Sequence, residues 1–405
     1  MDSSEPAGAV LPVAGIRLGV TSAGIKAAGR LDLVAIELAE GASVAATFTR
    51  NAFCAAPVQV AREHLCSTGP RYLLINTGNA NAGTGARGLA DAVACCAGLA
   101  DLTAVQENAV LPFSTGVIGE HLPVQRILQA LPAALEDMAA DNWERAASGI
   151  LTTDTRPKAG SRQLQLSGQT ITLTGMAKGA GMIRPNMATM LAYLATDANI
   201  EARLLEQLWR EVVEQSFNRV TVDGDTSTND AAVLVATGAA GNAMIDSAQH
   251  EDFPALRDAL LALALELAQA LVRDAEGASK FMAVRVAQAR DEAEALEIAY
   301  TVAHSPLVKT ALFASDPNWG RLLAAIGRAD VEALDVDKVE LSINGVLIAS
   351  DGCRAASYTE EQGVEAMAPT DIDVDILLAR GEAQATVWTS DLSYDYVRIN
   401  AEYRT

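Results

Sequence analysis

Short apolar runs separated by Gly-rich turns fill the first third of the chain and predict strands. Leu31 to Leu38 and Val44 to Thr49 have the length and alternation of strands, and Tyr72 to Ile75 is apolar throughout, as a buried strand would be. Apolar residues then recur at helical spacing from Gly88 to Leu102 and from Val124 to Ala147. Strands that alternate with helices predict an α/β fold.

The rest of the chain continues this alternation and adds two hairpins. The segment QLQLSGQTITLTG alternates apolar and polar residues about Ser167-Gly168-Gln169, which predicts a β-hairpin between Arg162 and Gly175. Asn344-Gly345 predicts a second hairpin, because this dipeptide favours a two-residue turn. The remaining predicted strands are Met190 to Leu194, Ala231 to Ala236, Phe281 to Ala287, Ile372 to Leu378 and Ala383 to Thr389, and the remaining predicted helices are Glu201 to Ser216 and Ala255 to Arg273.

Composition indicates an enzyme-like body with a closely packed core. Half of the 405 residues are apolar but only 4% are aromatic, so the core must be built from Ala, Val, Leu and Ile side chains between closely approaching elements. The length predicts two or three lobes, or one large layered domain with paired sheets. The sequence contains no Pro/Ser-rich linker, so it marks no domain boundary.

The chain is strongly acidic, with 30 Lys and Arg against 51 Asp and Glu and a net charge of −21. Such a surface repels a phosphate backbone, so nucleic acid is not expected as a partner. An anionic small substrate would need a local island of Lys, Arg or backbone N–H groups.

The N-terminus lacks the basic region of a signal peptide, and Ala259 to Val272 is too short to span a bilayer. We therefore expect a cytoplasmic protein without membrane contact.

The histidines do not supply a catalytic or metal site. His64, His121, His250 and His304 lie in ordinary polar or turn contexts, and none is in a G-x-S-x-G or H-E-x-x-H arrangement. A serine-type triad and a zinc site therefore both lack their parts, and we expect no metal.

The most unusual segment leads to a threonine at the start of a predicted strand. Small, conformationally permissive residues follow Lys178, and Pro185 precedes Thr189. If the loop strains the peptide bond after Ala188, the Thr189 hydroxyl can attack the Ala188 carbonyl, and hydrolysis of the ester would make Thr189 a new N-terminus. Its α-amino group, with an ordinary pKa of ~7.7–8.0, would then be a base beside its own hydroxyl. On these residues alone, an ordinary Gly/Pro loop before a β-branched strand residue is the alternative.

One long segment resembles the cleavage signature of the ornithine acetyltransferase family, the bifunctional acetyltransferases of arginine biosynthesis. It is KGAGMIRPNMATMLAYLATDA, Lys178 to Ala198. Further motifs similar to that family follow one another along nearly the whole chain: FTRNAFCAAPV (Phe48 to Val58), NTGNANAGTG (Asn76 to Gly85), STGVIG (Ser114 to Gly119), TTDTRPK (Thr152 to Lys158), DGDTSTND (Asp223 to Asp230), EGASKF (Glu276 to Phe281), SDPNWGR (Ser315 to Arg321) and YVRINAEYRT (Tyr396 to Thr405).

The resemblance implies a protein that cuts itself between Ala188 and Thr189. The products would be an alpha chain of residues 1–188 and a beta chain of residues 189–405, which stay together as one intertwined catalytic unit. Family members are usually α2β2 heterotetramers. The fold expected is a layered α/β (α+β) type, with an α-β-β-α core of facing sheets and outer helices.

The resemblance also implies a ping-pong acetyl transfer. N-acetylornithine would acetylate Thr189 and release ornithine, and glutamate would then take the acetyl group to give N-acetylglutamate. Acetyl-CoA is an alternative donor in bifunctional members, and no cofactor is expected. The acidic net charge disfavours acetyl-CoA mildly, without excluding a basic island that would receive it.

Several site residues carry over by position. Thr115 and Gly116 of the STGVIG motif would form the oxyanion hole, where one lost donor typically costs ~2.7–4 kcal/mol of barrier. Substrate contacts map onto Thr152, Lys178, Thr189, Glu276, Asn400 and Thr405.

Each assignment has a simpler alternative. Lys178 suits the α-carboxylate of an amino acid and Glu276 suits an ammonium such as that of ornithine, but both could be solvated charges. Thr405 could be a frayed tail, and Thr115–Gly116 could be an ordinary turn. The sequence does not decide between Thr152 and its neighbour Thr153.

Three other functions compete with acetyl transfer. Gly83-Thr-Gly-Ala-Arg-Gly88 has dinucleotide-binding spacing, but about eight residues separate it from the predicted strand Tyr72 to Ile75, and no acidic strand end follows ~20 residues later. A self-processed amidohydrolase or aminopeptidase would use the same nucleophile with water as acceptor. A non-enzymatic binding protein predicts an uncleaved chain.

Overall fold

The computed structural model describes residues 9–27, 29–184 and 190–402, so Ala188, Thr189 and Thr405 lie outside the described residues. The strands within these ranges are β1 Ile16–Thr21, β2 Leu33–Leu38, β3 Ser43–Phe48, β4 Tyr72–Asn79, β5 Val110–Val117, β6 Lys158–Leu166, β7 Gln169–Lys178, β8 Leu191–Thr196, β9 Val220–Thr221, β10 Ala231–Ala236, β11 Phe281–Ala289, β12 Glu340–Ile343, β13 Val346–Ser350, β14 Cys353–Arg354, β15 Asp371–Leu377 and β16 Ala383–Ser390. The α-helices are α1 Ala56–Ser67, α2 Gly85–Thr103, α3 Val124–Glu136, α4 Trp143–Gly149, α5 Ala202–Gln215, α6 Phe253–Arg273, α7 Glu292–Ala303, α8 Pro306–Phe313, α9 Trp319–Gly327, α10 Glu360–Met367 and α11 Tyr394–Glu402.

The chain divides into two compact units, although its composition shows no boundary. The first unit comprises the described residues within Met1–Gly179, Arg184–Asn218 and Thr226–Leu271. The second comprises those within Ala180–Ile183, Arg219–Asp225 and Val272–Thr405. Because the chain passes between the units several times, a search for one linker in the sequence could not find the division.

The first unit is built on two sheets that share a buried core. Their strand orders are β1-β2-β4-β5 and β3-β10-β8-β7-β6. Ile75 and Phe113 of the first sheet and Tyr193 and Val233 of the second belong to one cluster of fully or nearly fully buried side chains. The Phe113 and Tyr193 rings meet edge to face, with centroids 5.3 Å apart. The two sheets therefore face each other, as the fold prediction requires.

Helices cover the outer faces of both sheets. On the first sheet, Leu99 of α2 and Leu131 of α3 are buried with Leu33 and Leu74. On the second sheet, the α5 side chain of Trp209 is buried and donates through Nε1 to the backbone oxygen of Ala232, at 2.9 Å. The layers thus run helix, sheet, sheet, helix, which confirms the predicted α-β-β-α arrangement.

The second unit contains one mixed sheet with its own core. Its strand order is β14-β13-β12-β15-β11-β16-β9, and β11 pairs in parallel with β15 and antiparallel with β16. Val284, Val374 and Val387 from this sheet are buried together with Ile298 of α7 and Leu312 of α8. This unit holds the last segment of the chain, including helix α11.

Both predicted hairpins are confirmed. Ser167 and Gly168 join β6 to β7 with φ of 48° and 79°, and Asn344 and Gly345 join β12 to β13 with φ of 46° and 78°. Positive φ at both central residues is the requirement of the two-residue turn whose twist matches that of the strands. Local sequence therefore determines these two turns.

One predicted helix, Val124 to Ala147, is wrong, because two helices occupy this range. After α3 ends, the Asp137 carboxylate accepts the N–H of Val20 at 2.9 Å, and Ala139 exchanges backbone hydrogen bonds with Leu18. Strand β1 thus supplies hydrogen bonds that replace those of a continuous helix. The periodicity alone contains no information about this tertiary contact.

No helix in the described part of the chain is both long enough and apolar enough to cross a membrane.

Candidate active site

Lys178, the last residue of β7, places its ammonium group between two hydroxyls of the first unit. Its Nζ donates to Thr152 Oγ1 at 2.7 Å and to Thr115 Oγ1 at 3.2 Å. The side chain is 10% exposed, so the interpretation of Lys178 as a solvated charge is wrong. Of the two adjacent threonines, Thr152 provides the hydroxyl that meets Lys178.

Asp154, for which the sequence predicted no role, organises this cluster. Its Oδ1 accepts from Lys158 Nζ at 2.7 Å and from the Gly179 N–H at 2.6 Å, while Oδ2 accepts the Thr152 N–H at 3.1 Å. Oδ2 also lies 4.0 Å from Lys178 Nζ. The Asp154 and Lys158 side chains are 0% and 1% exposed. One buried carboxylate therefore fixes two lysines and the backbone at the end of β7.

Electrostatics keep Asp154 ionised. Burial alone would raise its pKa, but the ammonium groups of Lys178 and Lys158 and the hydrogen bonds from Lys158 and Gly179 hold the pKa of Asp154 well below its ordinary value. The motif TTDTRPK contains both Asp154 and Lys158. A charged pair in a polar loop is usually solvated, however, and the spacing alone does not show that this pair is buried.

Asp230 is a second buried acid, and the charge of Lys178 acts on its pKa. Asp230 is 2% exposed, and burial raises its pKa well above the ordinary value, although Ser227 and Lys178 act in the opposite direction. Its Oδ2 has no hydrogen-bond partner among the described residues. Asp230 is therefore a buried carboxyl group, directly before β10, whose pKa is raised by burial.

Thr115 and Gly116 lie inside strand β5 and not in the ordinary turn that was the alternative. Gly116 has φ of +135°, and the register between β5 and β4 is irregular opposite Gly78 and Asn79. A Cβ built on Gly116 would lie 2.3 Å from the carbonyl carbon of Gly78. Backbone strain and close approach therefore both require glycine at the predicted oxyanion position.

This geometry makes Gly116→Ala a costly substitution. We expect it to lower the free energy of unfolding by about 1–3 kcal/mol, because the new methyl group meets backbone at a conformation that L residues avoid. Gly119→Ala is the matched control, since Gly119 has φ of +87° with nothing within 4 Å of its Cβ position. Urea denaturation of both variants should show the larger loss for Gly116→Ala, and equal losses would contradict the close contact.

The G-x-G-x-x-G segment begins closer to its strand than predicted, because β4 extends to Asn79. Two of its three glycines, Gly83 and Gly88, nevertheless lie against side chains of the protein itself. Asn81 donates to the Gly88 oxygen at 2.9 Å and accepts from Thr84 Oγ1 at 2.8 Å, and a Cβ on Gly88 would lie 1.9 Å from Thr84 Oγ1. Gly88 therefore makes room for Thr84 at the start of α2.

Glu276 and Asn400 meet in the second unit. Asn400 Nδ2 donates to Glu276 Oε2 at 2.7 Å, and Glu276 is 9% exposed, so its interpretation as a solvated charge is also wrong. The Glu276 N–H donates to the Ala180 oxygen at 2.9 Å. A Cβ on Gly181 would lie 2.5 Å from Glu276 Oε2, so this glycine permits the backbone to pass beside the carboxylate.

The predicted site residues thus fall into two described groups. Thr115, Gly116, Thr152 and Lys178 belong to the first unit, and Glu276 and Asn400 belong to the second. Ala188, Thr189 and Thr405 lie outside the described residues. Within residues 9–27, 29–184 and 190–402, no group of three or more His, Cys, Asp or Glu side chains is arranged to hold a metal ion.

The fold and the buried polar groups define a layered α/β protein in which two lysines, one aspartate and two threonine hydroxyls form an ordered cluster at the end of β7. Residues 17–405 match the ArgJ family, and the chain belongs to that family.

Two relatives and one solved structure that are similar to this chain are as follows. The arginine biosynthesis bifunctional protein ArgJ of Pseudomonas syringae pv. tomato is 58% identical over 400 residues, which are 99% of this chain and 98% of that protein. The protein of the same name from Pseudomonas fluorescens is 57% identical over 394 residues, 97% of each chain. The crystal structure of ArgJ from Bacillus halodurans is 35% identical and covers 51% of this chain and 95% of that chain, with a TM-score of 0.49.

Proposed function

We propose that this protein transfers an acetyl group from N-acetylornithine to glutamate, giving ornithine and N-acetylglutamate for arginine biosynthesis. The observation that carries the proposal is the buried Lys178 ammonium between the hydroxyls of Thr115 and Thr152, in a chain of the ArgJ family. Both substrates carry an α-carboxylate, and a buried ammonium beside two hydroxyls suits that group. Lys178 and Thr152 accordingly bind the carboxylate.

The chemistry proceeds through Thr189 as the nucleophile. Its hydroxyl attacks the acetyl carbonyl of N-acetylornithine while its own α-amino group takes the hydroxyl proton. The oxyanion receives hydrogen bonds from Thr115 and Gly116. The C–N bond then breaks, ornithine leaves with the proton returned to its α-nitrogen, and acetyl-Thr189 remains.

The second half-reaction runs the same steps with glutamate. The α-amine of glutamate attacks the acetyl ester, the Thr115–Gly116 site again stabilises the oxyanion, and Thr189 leaves as its hydroxyl. Glu276 and Asn400 bind the ornithine side-chain ammonium in the first half-reaction. Thr405 makes a further substrate contact. This chemistry requires no metal or redox cofactor, and acetyl-CoA serves as a second acetyl donor.

Processing between Ala188 and Thr189 gives an alpha chain of residues 1–188 and a beta chain of residues 189–405. The five-stranded sheet supports their continued association, because β8 and β10 from the beta chain pair with β7 and β3 from the alpha chain. Separation would expose long, unpaired strand edges. We further propose an α2β2 assembly in the cytoplasm.

Acetyl transfer can be separated from hydrolysis by following the acetyl group. With N-acetylornithine labelled in its acetyl group and glutamate present, we expect the label in N-acetylglutamate, because the site binds an amino acid as acceptor. A self-processed amidohydrolase would instead release labelled acetate whether or not glutamate is present. Labelled acetate as the main product would therefore overturn the transferase assignment.

A further inference from the structure

We propose that Asp223 is a positioning residue that fixes the Glu276–Asn400 pair by joining two segments of the second unit. The inference rests on the proposed function, in which Glu276 binds the side-chain ammonium of the donor. It assigns Asp223 a role in selecting donors that carry this ammonium.

The first segment is the backbone of residues 180–183. Asp223 Oδ2 accepts the Met182 N–H at 2.7 Å, and Oδ1 accepts the Ile183 N–H at 2.9 Å. The Ile183 oxygen in turn accepts from the Val222 N–H at 2.7 Å and from Thr221 Oγ1 at 3.0 Å. Met182 has φ of +54°, a conformation that costs free energy in a residue other than glycine. Hydrogen bonds to Asp223 therefore hold a strained backbone in place.

The backbone of residues 180–183 packs against one side of the Glu276 side chain. Gly181 lies directly before the two residues that Asp223 holds, and it passes so close to Glu276 that a Cβ would be 2.5 Å from Oε2. The Ala180 oxygen also accepts the Glu276 N–H. A shift of Met182 and Ile183 would therefore move the backbone that packs against the Glu276 carboxylate.

The second segment is helix α11. The Tyr396 hydroxyl donates to Asp223 Oδ2 at 3.2 Å, and the next turn of the helix places Asn400 against Glu276. Asn400 also donates to the Tyr396 oxygen, at 3.0 Å. Burial and the neighbouring Asp223 carboxylate raise the pKa of Tyr396, so the hydroxyl keeps its proton and remains a donor at neutral pH.

One carboxylate thus connects both sides of the pair. Oδ1 also accepts the Asp225 N–H at 3.2 Å, so each of the two Asp223 carboxylate oxygens accepts two hydrogen bonds. In Asp223→Asn, one of these oxygens becomes an NH2 group that faces donors. A backbone N–H cannot accept, so the substitution must lose either the hydrogen bond from Met182 or those from Ile183 and Asp225, and a Tyr396 hydroxyl that faces the NH2 group must turn from donor to acceptor.

The test compares two acetyl donors with the processed, full-length protein and glutamate as acceptor. N-acetylornithine has the side-chain ammonium, and N-acetylnorvaline has the same carbon chain without it. We expect Asp223→Asn to reduce the preference for N-acetylornithine, measured as the ratio of kcat/KM values, by about tenfold, as expected for a weakened charge-assisted hydrogen bond. The change should lie mainly in KM for N-acetylornithine. Glu276→Gln removes the charge of the carboxylate itself, so its loss of preference is the largest that a change acting through Glu276 can cause.

If kcat/KM falls equally for both donors, or does not fall for either, the preference is unchanged. Either result would overturn the proposal, and the first would show a merely structural role. Tyr396→Phe removes only the hydroxyl and decides the question if Asp223→Asn does not fold. We expect Tyr396→Phe to reduce the preference severalfold, and no reduction overturns the inference. A wild-type protein that transfers no acetyl group from N-acetylornithine would instead refute the proposed function, so the two failures are distinguishable.

Discussion

Thr189→Ala is expected to leave the chain uncut and to reduce acetyl transfer by about 10⁶-fold, the scale measured when an enzyme loses its nucleophile. Without the hydroxyl, no ester can form at Ala188, and no acetyl-enzyme can form afterwards. Electrophoresis under denaturing conditions measures the first effect, and a transfer assay measures the second.

Thr189→Ser is the matched control, because it keeps the hydroxyl and the α-amino group. It should still process and transfer acetyl, more slowly than wild type. An alanine variant that is cut at the same bond would refute the assignment of Thr189 as the nucleophile for processing. A cut alanine variant without activity would limit Thr189 to the transfer reaction.

Asp154→Ala is expected to lower the free energy of unfolding by about 3–5 kcal/mol, because it removes the carboxylate that two buried lysines share. Lys158 Nζ lies 2.7 Å from Asp154 Oδ1, and Lys178 Nζ lies 4.0 Å from Oδ2. Glu206→Ala is the control, since Glu206 forms an exposed pair with Arg210 one helical turn away. Such a pair contributes about 0.3–0.5 kcal/mol. Similar losses in the two variants, measured by urea denaturation, would contradict the burial of the Asp154 cluster.

The same carboxylate predicts an acid-dependent loss of stability. Because the pKa of Asp154 is lower in the folded than in the unfolded protein, the unfolded state binds the proton first as the pH falls. The stabilisation is complete above the ordinary aspartate pKa of ~3.9 and decreases as the pH falls from there towards the folded-state value. The difference between wild type and Asp154→Ala should therefore shrink below about pH 4. A difference that stays constant through this range would contradict a depressed pKa.

Local sequence predicted the elements that local interactions determine. The helix from Glu201 to Ser216 is confirmed as α5, where the Glu201 side chain accepts the Leu204 N–H and apolar residues recur on one face. The prediction failed where another part of the chain intervenes. Asp137 and Ala139 end α3 through hydrogen bonds to β1, a strand that is distant in sequence.

The site was predicted by motif and only partly by chemistry. Lys178 and Glu276 were identified through the resemblance, whereas their burial became visible only in the structure. The sequence did not single out Asp154 and Asp223, although the motifs TTDTRPK and DGDTSTND contain them. Both carboxylates accept hydrogen bonds from backbone N–H groups of segments that are distant in sequence. A residue pattern does not reveal which N–H groups a carboxylate will meet.

Intact-mass analysis of the purified protein tests the central claim most directly. Two species are expected, residues 1–188 and residues 189–405. Incubation with N-acetylornithine alone should add the mass of one acetyl group to the fragment that begins at Thr189, and glutamate should remove it. A single uncut chain, or an acetyl group that never appears on that fragment, would contradict acetyl transfer through Thr189.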